Sequence, residues 1–294
     1  MRFNIKINCV IINILKIWGD YIMRIGVFVA LNKNIDSEFA KLYKNGFSTC
    51  QIGCWDMSLY TDENAEAVKT AAAKYNIEIT ALWCGWSGPA IWNFYEGPLT
   101  LGLVPAPYRL HRMQELMKGS DFAEKINVTD IITHMGFLPE IPTSSEYSEV
   151  VAAIRVIAEY CKNKGQYLLF ETGQETAVTL RRTIEDIGTG NLGINLDPAN
   201  LILYGKSNPV DALGILGKYV RNVHGKDGCY PTDGKNLGEE MPLGKGQVNY
   251  PAFIAKLKEI GYDGPITIER EITGDEQIKD ILEAKSILEE LIAR

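Results

Sequence analysis

Eight short apolar runs, each followed by a longer amphipathic stretch, fill the chain from Met23 onward. The runs cover 24–30, 49–54, 78–83, 130–134, 167–171, 192–197, 220–224 and 265–269. The amphipathic stretches cover 37–45, 63–75, 108–125, 146–164, 176–187, 209–216, 250–260 and 275–293. Runs rich in β-branched and aromatic residues suit strands buried on both faces, and strands that alternate with helices imply βαβ units and a parallel sheet. Eight such units in one chain of this length predict a closed (β/α)₈ TIM barrel, a single α/β domain over residues 23–294. An open doubly wound sheet is the runner-up. It needs a glycine-rich phosphate turn after the first strand, and "VALNKN" there contains no glycine.

Residues 1–22, "MRFNIKINCVIINILKIWGDYI", read differently. Their apolar run is short and broken by Asn13 and Lys16, so it is too polar for a membrane span and lacks a small-residue cleavage site. Trp18-Gly19-Asp20 is encoded by codons that can hold a purine-rich ribosome-binding sequence just ahead of Met23. The expectation is a non-native or disordered extension, with the folded chain starting at Met23. A formal net charge of -7 argues against nucleic acid or an anionic membrane as the main partner and leaves a small polar substrate open. The six cysteines form no C-x-x-C pair, which predicts buried free thiols, and with no signal peptide the expected location is cytoplasmic.

Barrel enzymes keep their chemistry at the carboxyl ends of the strands. Four consecutive strand candidates end in a ligand-type residue: "YLLFE" at Glu171, "LGINLD" at Asp197, "VRNVH" at His224 and "PITIE" at Glu269. Each would project at the same rim. Three carboxylates brought together in a partly desolvated site repel one another, and a divalent cation removes that conflict. Oxygen donors with one imidazole suit Mn²⁺, Co²⁺ or Mg²⁺ better than a thiolate zinc site would; Mn²⁺ is the expected ion, with Zn²⁺ a further alternative. His224 ligates in its neutral form. His134 ends the fourth run and should face the same mouth, as a substrate contact. Lys226, two residues beyond His224, is placed to reach a substrate oxygen, a phosphate or a carboxylate. The long loop 85–107 carries Trp86, Trp92, Phe94 and Tyr95, and Trp86 and Trp92 are expected to shape or cap a pocket. Cys54 and Trp55, after the second strand, are expected near the pocket, whereas His111 sits on a helix and reads as a surface residue.

The motifs "FETGQET", "NLDPANL", "VHGKDG" and "PLGKGQVNYPAFIAKLKEIGYDGPITIERE" resemble the sugar isomerase and epimerase superfamily with the xylose-isomerase-like barrel. The resemblance covers essentially everything after Met23. It implies Glu171, Asp197, His224 and Glu269 as metal ligands. Glu171 and Glu269 would also be the acid–base pair, working on opposite sides of a ketose while the metal stabilises an enediolate. Two carriers on opposite faces give epimerisation; one gives isomerisation. The auxiliary residues depart from the ketose 3-epimerases. Asn200 stands where they carry a His, Tyr230 where they carry an Arg, and Ala177 where they carry a Glu, with Glu175 the nearest carboxylate. Asn200 is therefore an expected substrate contact of altered type, and the usual free ketohexose is not the expected substrate.

The expected function is isomerisation or epimerisation of a sugar or sugar phosphate; the expected partner is a small-molecule sugar or cyclitol, and the expected assembly a homo-oligomer, dimer or tetramer. A lyase of the inosose dehydratase or 3-keto-glycoside-cleaving type shares the proton abstraction and is the alternative. An abasic-site endonuclease of this barrel type needs a histidine-rich trinuclear zinc site, and three histidines in all are too few. A non-enzymatic binding barrel is the remaining reading.

Overall fold

The computed structural model describes residues 23–294. The reading of residues 1–22 as a leader, and Cys9 with it, lies outside the described residues. The barrel strands are β1 (Ile25–Ala30), β2 (Thr49–Cys54), β3 (Glu78–Cys84), β4 (Asp130–Thr133), β5 (Tyr167–Glu171), β6 (Leu192–Leu196), β7 (Val220–Gly225) and β10 (Ile266–Ile268). They form one closed ring in which each strand lies beside its neighbour in sequence and β1 closes onto β10. All of these pairings are parallel, and Ile25, Gly26 and Val27 register with Ile266, Thr267 and Ile268 at the closure. The single TIM barrel is thus the observed fold, and closure rules out the open sheet.

Helices α1 (Ile35–Lys44), α2 (Asp62–Tyr75), α4 (Ala106–Lys125), α5 (Ser145–Lys162), α6 (Ala177–Ile187), α8 (Pro209–Leu216), α9 (Tyr250–Glu259) and α10 (Asp275–Ala293) follow the strands in turn. Several begin at side-chain caps that satisfy free N–H groups of the first turn: Thr61, Ser144, Thr176, Asn208 and Asn249 each accept such a bond. The main hydrophobic core fills the layer between strands and helices. Two short helices and a hairpin fall in stretches expected to be irregular: α3 (Gly97–Thr100), α7 (Pro198–Leu203), and β8 (Asp227–Gly228) paired with β9 (Glu240–Met241).

The barrel interior is split in character. Ala81, Trp83, Ile132 and Leu169 make a small apolar cluster against Phe28 and Tyr167. Gly53 leaves room for the Phe28 ring, since a Cβ there would fall 2.1 Å from it. Beside this cluster runs a buried polar layer of Gln51, Asn195, Asn222 and Asp130. Cys50, Cys54, Cys84 and Cys161 are buried free thiols, as expected, while Cys229 is half-buried and also free.

Candidate metal centre and active site

Glu171 closes β5 and His224 lies in β7, while Asp197 and Glu269 stand one residue past β6 and β10. The structure brings the four together: each offers one donor atom, and these atoms all lie within 4.8 Å of one another. His224 Nδ1 is 3.0 Å from Glu171 Oε1, 3.4 Å from Asp197 Oδ2 and 3.4 Å from Glu269 Oε2. Asp197 does two tasks. Its Oδ1 accepts the Asn200 N–H and caps α7, and its Oδ2 faces the cluster with no hydrogen-bond partner.

The tautomer of His224 follows from what lies behind it. Gln51 Nε2 donates to Asn195 Oδ1 at 3.2 Å and Asn222 Oδ1 at 3.4 Å, which turns Gln51 Oε1 toward His224 Nε2 at 2.8 Å. A carbonyl oxygen only accepts, so Nε2 carries the hydrogen. In the neutral ring Nδ1 then presents a lone pair to three carboxylates, which is a ligand's arrangement. Asn222 in turn donates to Asp130, and Asp130 is held by Arg221, so a hydrogen-bonded chain runs from the cluster through the barrel core. Burial opposes charge on His224, but Glu171, Glu269 and Asp197 outweigh it and push the imidazole well above its ordinary value. Replacing Gln51 with Leu removes the group that orients the ring and fixes its tautomer. Mn²⁺ affinity is expected to fall roughly 10–100-fold, read by titrating free Mn²⁺ in EPR.

Lys226 is buried, and its ammonium lies 2.9 Å from Glu269 Oε2, 2.6 Å from Glu271 Oε1 and 3.8 Å from Asp197 Oδ2. Burial would lower its pKa, but those carboxylates more than offset this and raise it well above the usual lysine value. Conversely, burial would raise Glu269, but Lys226 and His224 hold it far below the usual carboxylate range. Three candidate ligand carboxylates share a single ammonium with Glu271, so the cluster carries an excess of negative charge beside a neutral imidazole, and a divalent cation would offset it; the donors fit such an ion.

A cavity of about 450 Å³ opens onto the cluster. Glu171 and Glu269 line it, together with Phe28, Trp55, Trp83, Trp92, His134 and Asn200. Asp197 and His224 lie fully buried behind. Trp83 Nε1 donates to Glu171 Oε2, so an indole aims that carboxylate. His134 stands 3.9 Å from the same oxygen, and its Nδ1 has no partner. Two expected substrate contacts lie elsewhere. Trp86 is buried behind Trp55, Trp83 and Trp92 rather than lining the cavity. Lys226 faces the ligand carboxylates, with its side chain 2% exposed. His111 is on the surface, paired with Glu115.

Gln51, Trp83 and Asp227 carry work that the sequence reading did not assign. The Asp227 carboxylate accepts four backbone N–H groups, from Gly228, Gly244, Gly246 and Val248. It ties the "PLGKGQV" loop beneath the site, and a Cβ on Gly246 would fall 2.2 Å from its Oδ1. "VHGKDG" is therefore a candidate ligand, an ammonium that pairs with the neighbouring carboxylates and a loop anchor in one short stretch. The loops after β3 and β7 meet over the mouth: Asn93 bridges Asn236, and Phe94 N–H donates to Lys235 at 2.9 Å.

Among the described residues no helix is long and apolar enough to cross a membrane. A solved xylose isomerase domain protein from Planctomyces limnophilus shares 38% identity, covers 92% of this chain and 97% of its own, and superposes with a TM-score of 0.86. A D-tagatose 3-epimerase-like protein of known structure shares 22% identity over 92% of this chain and 97% of that one, with a TM-score of 0.71. An uncharacterized protein of Methanocaldococcus jannaschii is 26% identical over 288 residues, 92% of this chain and 89% of that protein. The family model described as xylose isomerase-like TIM barrel matches residues 39–291, and the chain belongs to that family.

Proposed function

We propose that this protein is a divalent-metal-dependent isomerase or epimerase that moves a proton on the carbon beside the ketone of a neutral, unphosphorylated sugar or cyclitol. The observation that carries this reading is the division of labour in the cluster: of four donors, only the two glutamates reach the cavity surface. Glu171, Asp197, His224 and Glu269 would hold the ion, with Mn²⁺ proposed and Co²⁺, Mg²⁺ or Zn²⁺ as alternatives. When bound, the ion supplies Lewis acidity that stabilises negative charge developing on the ketone oxygen. Glu269, which lines the cavity and is oriented by Lys226 at 2.9 Å, is placed to accept a proton. Glu171, three strands away around the rim and aimed by Trp83, is suited to hold or return one. Trp92 and Trp55 offer ring faces to the C–H side of the substrate, and His134 and Asn200 offer polar atoms to its hydroxyls.

The neutral substrate follows from the charges around the cavity. Glu171, Glu269 and Glu271 line it. Its one lining arginine, Arg270, is already engaged by Glu240 and Asp280, both at 2.9 Å. A phosphate dianion would enter among carboxylates with no free cation to receive it among the described residues.

Wash-in of deuterium tests the proposal. Mn²⁺-loaded protein in D₂O is mixed with free ketoses, ketose phosphates, keto-inositols and 3-keto-glycosides, and C–H signals are followed by proton NMR beside an EDTA-treated control. Metal-dependent loss of a signal next to the ketone of a neutral compound is expected. No exchange on any compound with metal bound would overturn the reaction, and preference for a phosphate would overturn the substrate class. Release of water or an aglycone would assign the lyase outcome instead.

A further inference from the structure

We propose that Arg112 is a positioning residue for the substrate-binding wall: it fixes the loop after β3 so that Trp92 stands in the cavity beside His134. Arg112 belongs to α4 and is fully buried. Among the described residues no carboxylate forms an ion pair with it. Its guanidinium donates instead to four backbone carbonyls, Ser87 at 3.3 Å, Pro89 at 2.9 Å, and Thr100 and Gly102 at 2.7 Å each. Two of these precede Trp92 in the chain and two follow it, so one side chain staples both arms of the loop. The rings of Tyr108 and Trp86 flank the cation, 4.7 and 5.2 Å from its centre.

The neighbouring contacts point the same way. Glu115, nearly one turn along α4, accepts the Ser87 N–H at 2.9 Å. At the far end, Leu103 N–H donates to Met135, the residue after His134. Gly102 permits that junction: its φ is +66°, and a Cβ would fall 2.1 Å from the Met135 backbone. Held at both ends, the loop places the Trp92 ring 5.2 Å from His134 and 6.4 Å from Trp55. A planar fork with five donors meets four carbonyls at fixed angles, which neither lysine nor glutamine reproduces. Arg112 touches none of the four metal-ligand residues. Its loss should therefore weaken substrate binding while leaving the ion and the proton-transfer step in place.

The test uses the full chain with Mn²⁺ and the variants Arg112→Lys and Arg112→Gln. Hydrogen exchange in peptides spanning 87–102 is expected to quicken by about tenfold or more, with barrel-strand peptides unchanged. Mn²⁺ affinity should stay within about twofold, because the donors and Gln51 are untouched. The kinetic arm rests on the proposed reaction: for a ketone that exchanges, KM should rise about tenfold with kcat within about threefold. Unchanged protection of 87–102, or a fall in Mn²⁺ affinity or kcat matching the KM change, would overturn the proposal. If no ketone exchanges, the reaction assignment fails while protection and metal affinity still decide the role of Arg112. If neither variant folds, native-state exchange on the unaltered protein decides: the amides of Ile91, Leu101 and Leu103 must open as one unit with α4 around Arg112, and independent opening would overturn it.

Discussion

Glu269→Gln is expected to lower metal-dependent C–H exchange by about 10²–10⁴-fold, the usual contribution of a positioned proton carrier. The substitution keeps the side chain's volume and one oxygen donor but removes the charge that accepts the proton. Glu269 is the ligand best suited to this test, because it lines the cavity and its carboxylate is held by Lys226 at 2.9 Å. Mn²⁺ binding must be measured alongside, and exchange compared at saturating metal. Exchange lost with metal bound identifies a proton carrier, whereas exchange that recovers fully at high Mn²⁺ would reduce Glu269 to a ligand alone. Asp197→Asn is the control with the opposite pattern. Asp197 is fully buried behind the cavity surface, so its variant should lose metal and regain exchange as metal is added. Glu171→Gln completes the set. In a two-carrier epimerase each glutamate variant should fail to invert configuration, even where the remaining carboxylate still exchanges a proton on its own face.

The four-residue cluster was legible in the sequence because each member ends an apolar run, and parallel barrel strands all point their carboxyl ends to one rim. What stayed hidden depends on which strands face each other across the barrel. Gln51 and His224 are 173 residues apart, and nothing local in "TCQIGC" marks Gln51 as the partner of an imidazole. Trp83 likewise closes what reads as an ordinary buried strand. Trp86 and Trp92 were both expected at the cavity, but side chains in an irregular loop obey no period, and of the two Trp92 lines it. The Arg112 staple could not be read either, since its acceptors are backbone carbonyls and leave no trace in residue identity. Helix α7 shows a signal that was present and passed over. Asp197-Pro198 is a capping residue followed by proline at the first helical position, but Asp197 was read only as a ligand.

Glu175 supplies the second large effect, and it acts on stability. It follows β5, four residues beyond Glu171, and is 3% exposed. Its Oε1 has no hydrogen-bond partner, and no cation forms an ion pair with it among the described residues. Burial pushes its carboxyl up to about 8 from an ordinary 4.5. Below pH 4.5 the group is protonated in both the folded and the unfolded chain, and it has no effect. Between that pH and about 8 the unfolded chain gives up the proton while the folded one keeps it. Unfolding then releases a proton, and stability declines as pH rises. At roughly 1.4 kcal/mol for each pH step, the loss approaches something on the order of 4 kcal/mol by the upper end of the window. Glu175→Gln keeps the shape and cannot ionise. Its stability relative to the unaltered protein should be near level at pH 5 and should climb steadily to pH 8, measured by urea unfolding of both proteins at pH 5, 6.5 and 8. A difference that stays flat across those three conditions would mean that Glu175 is ionised in the folded protein. The loop after β5 would then have to supply a partner for it, by reaching either Lys206 or water.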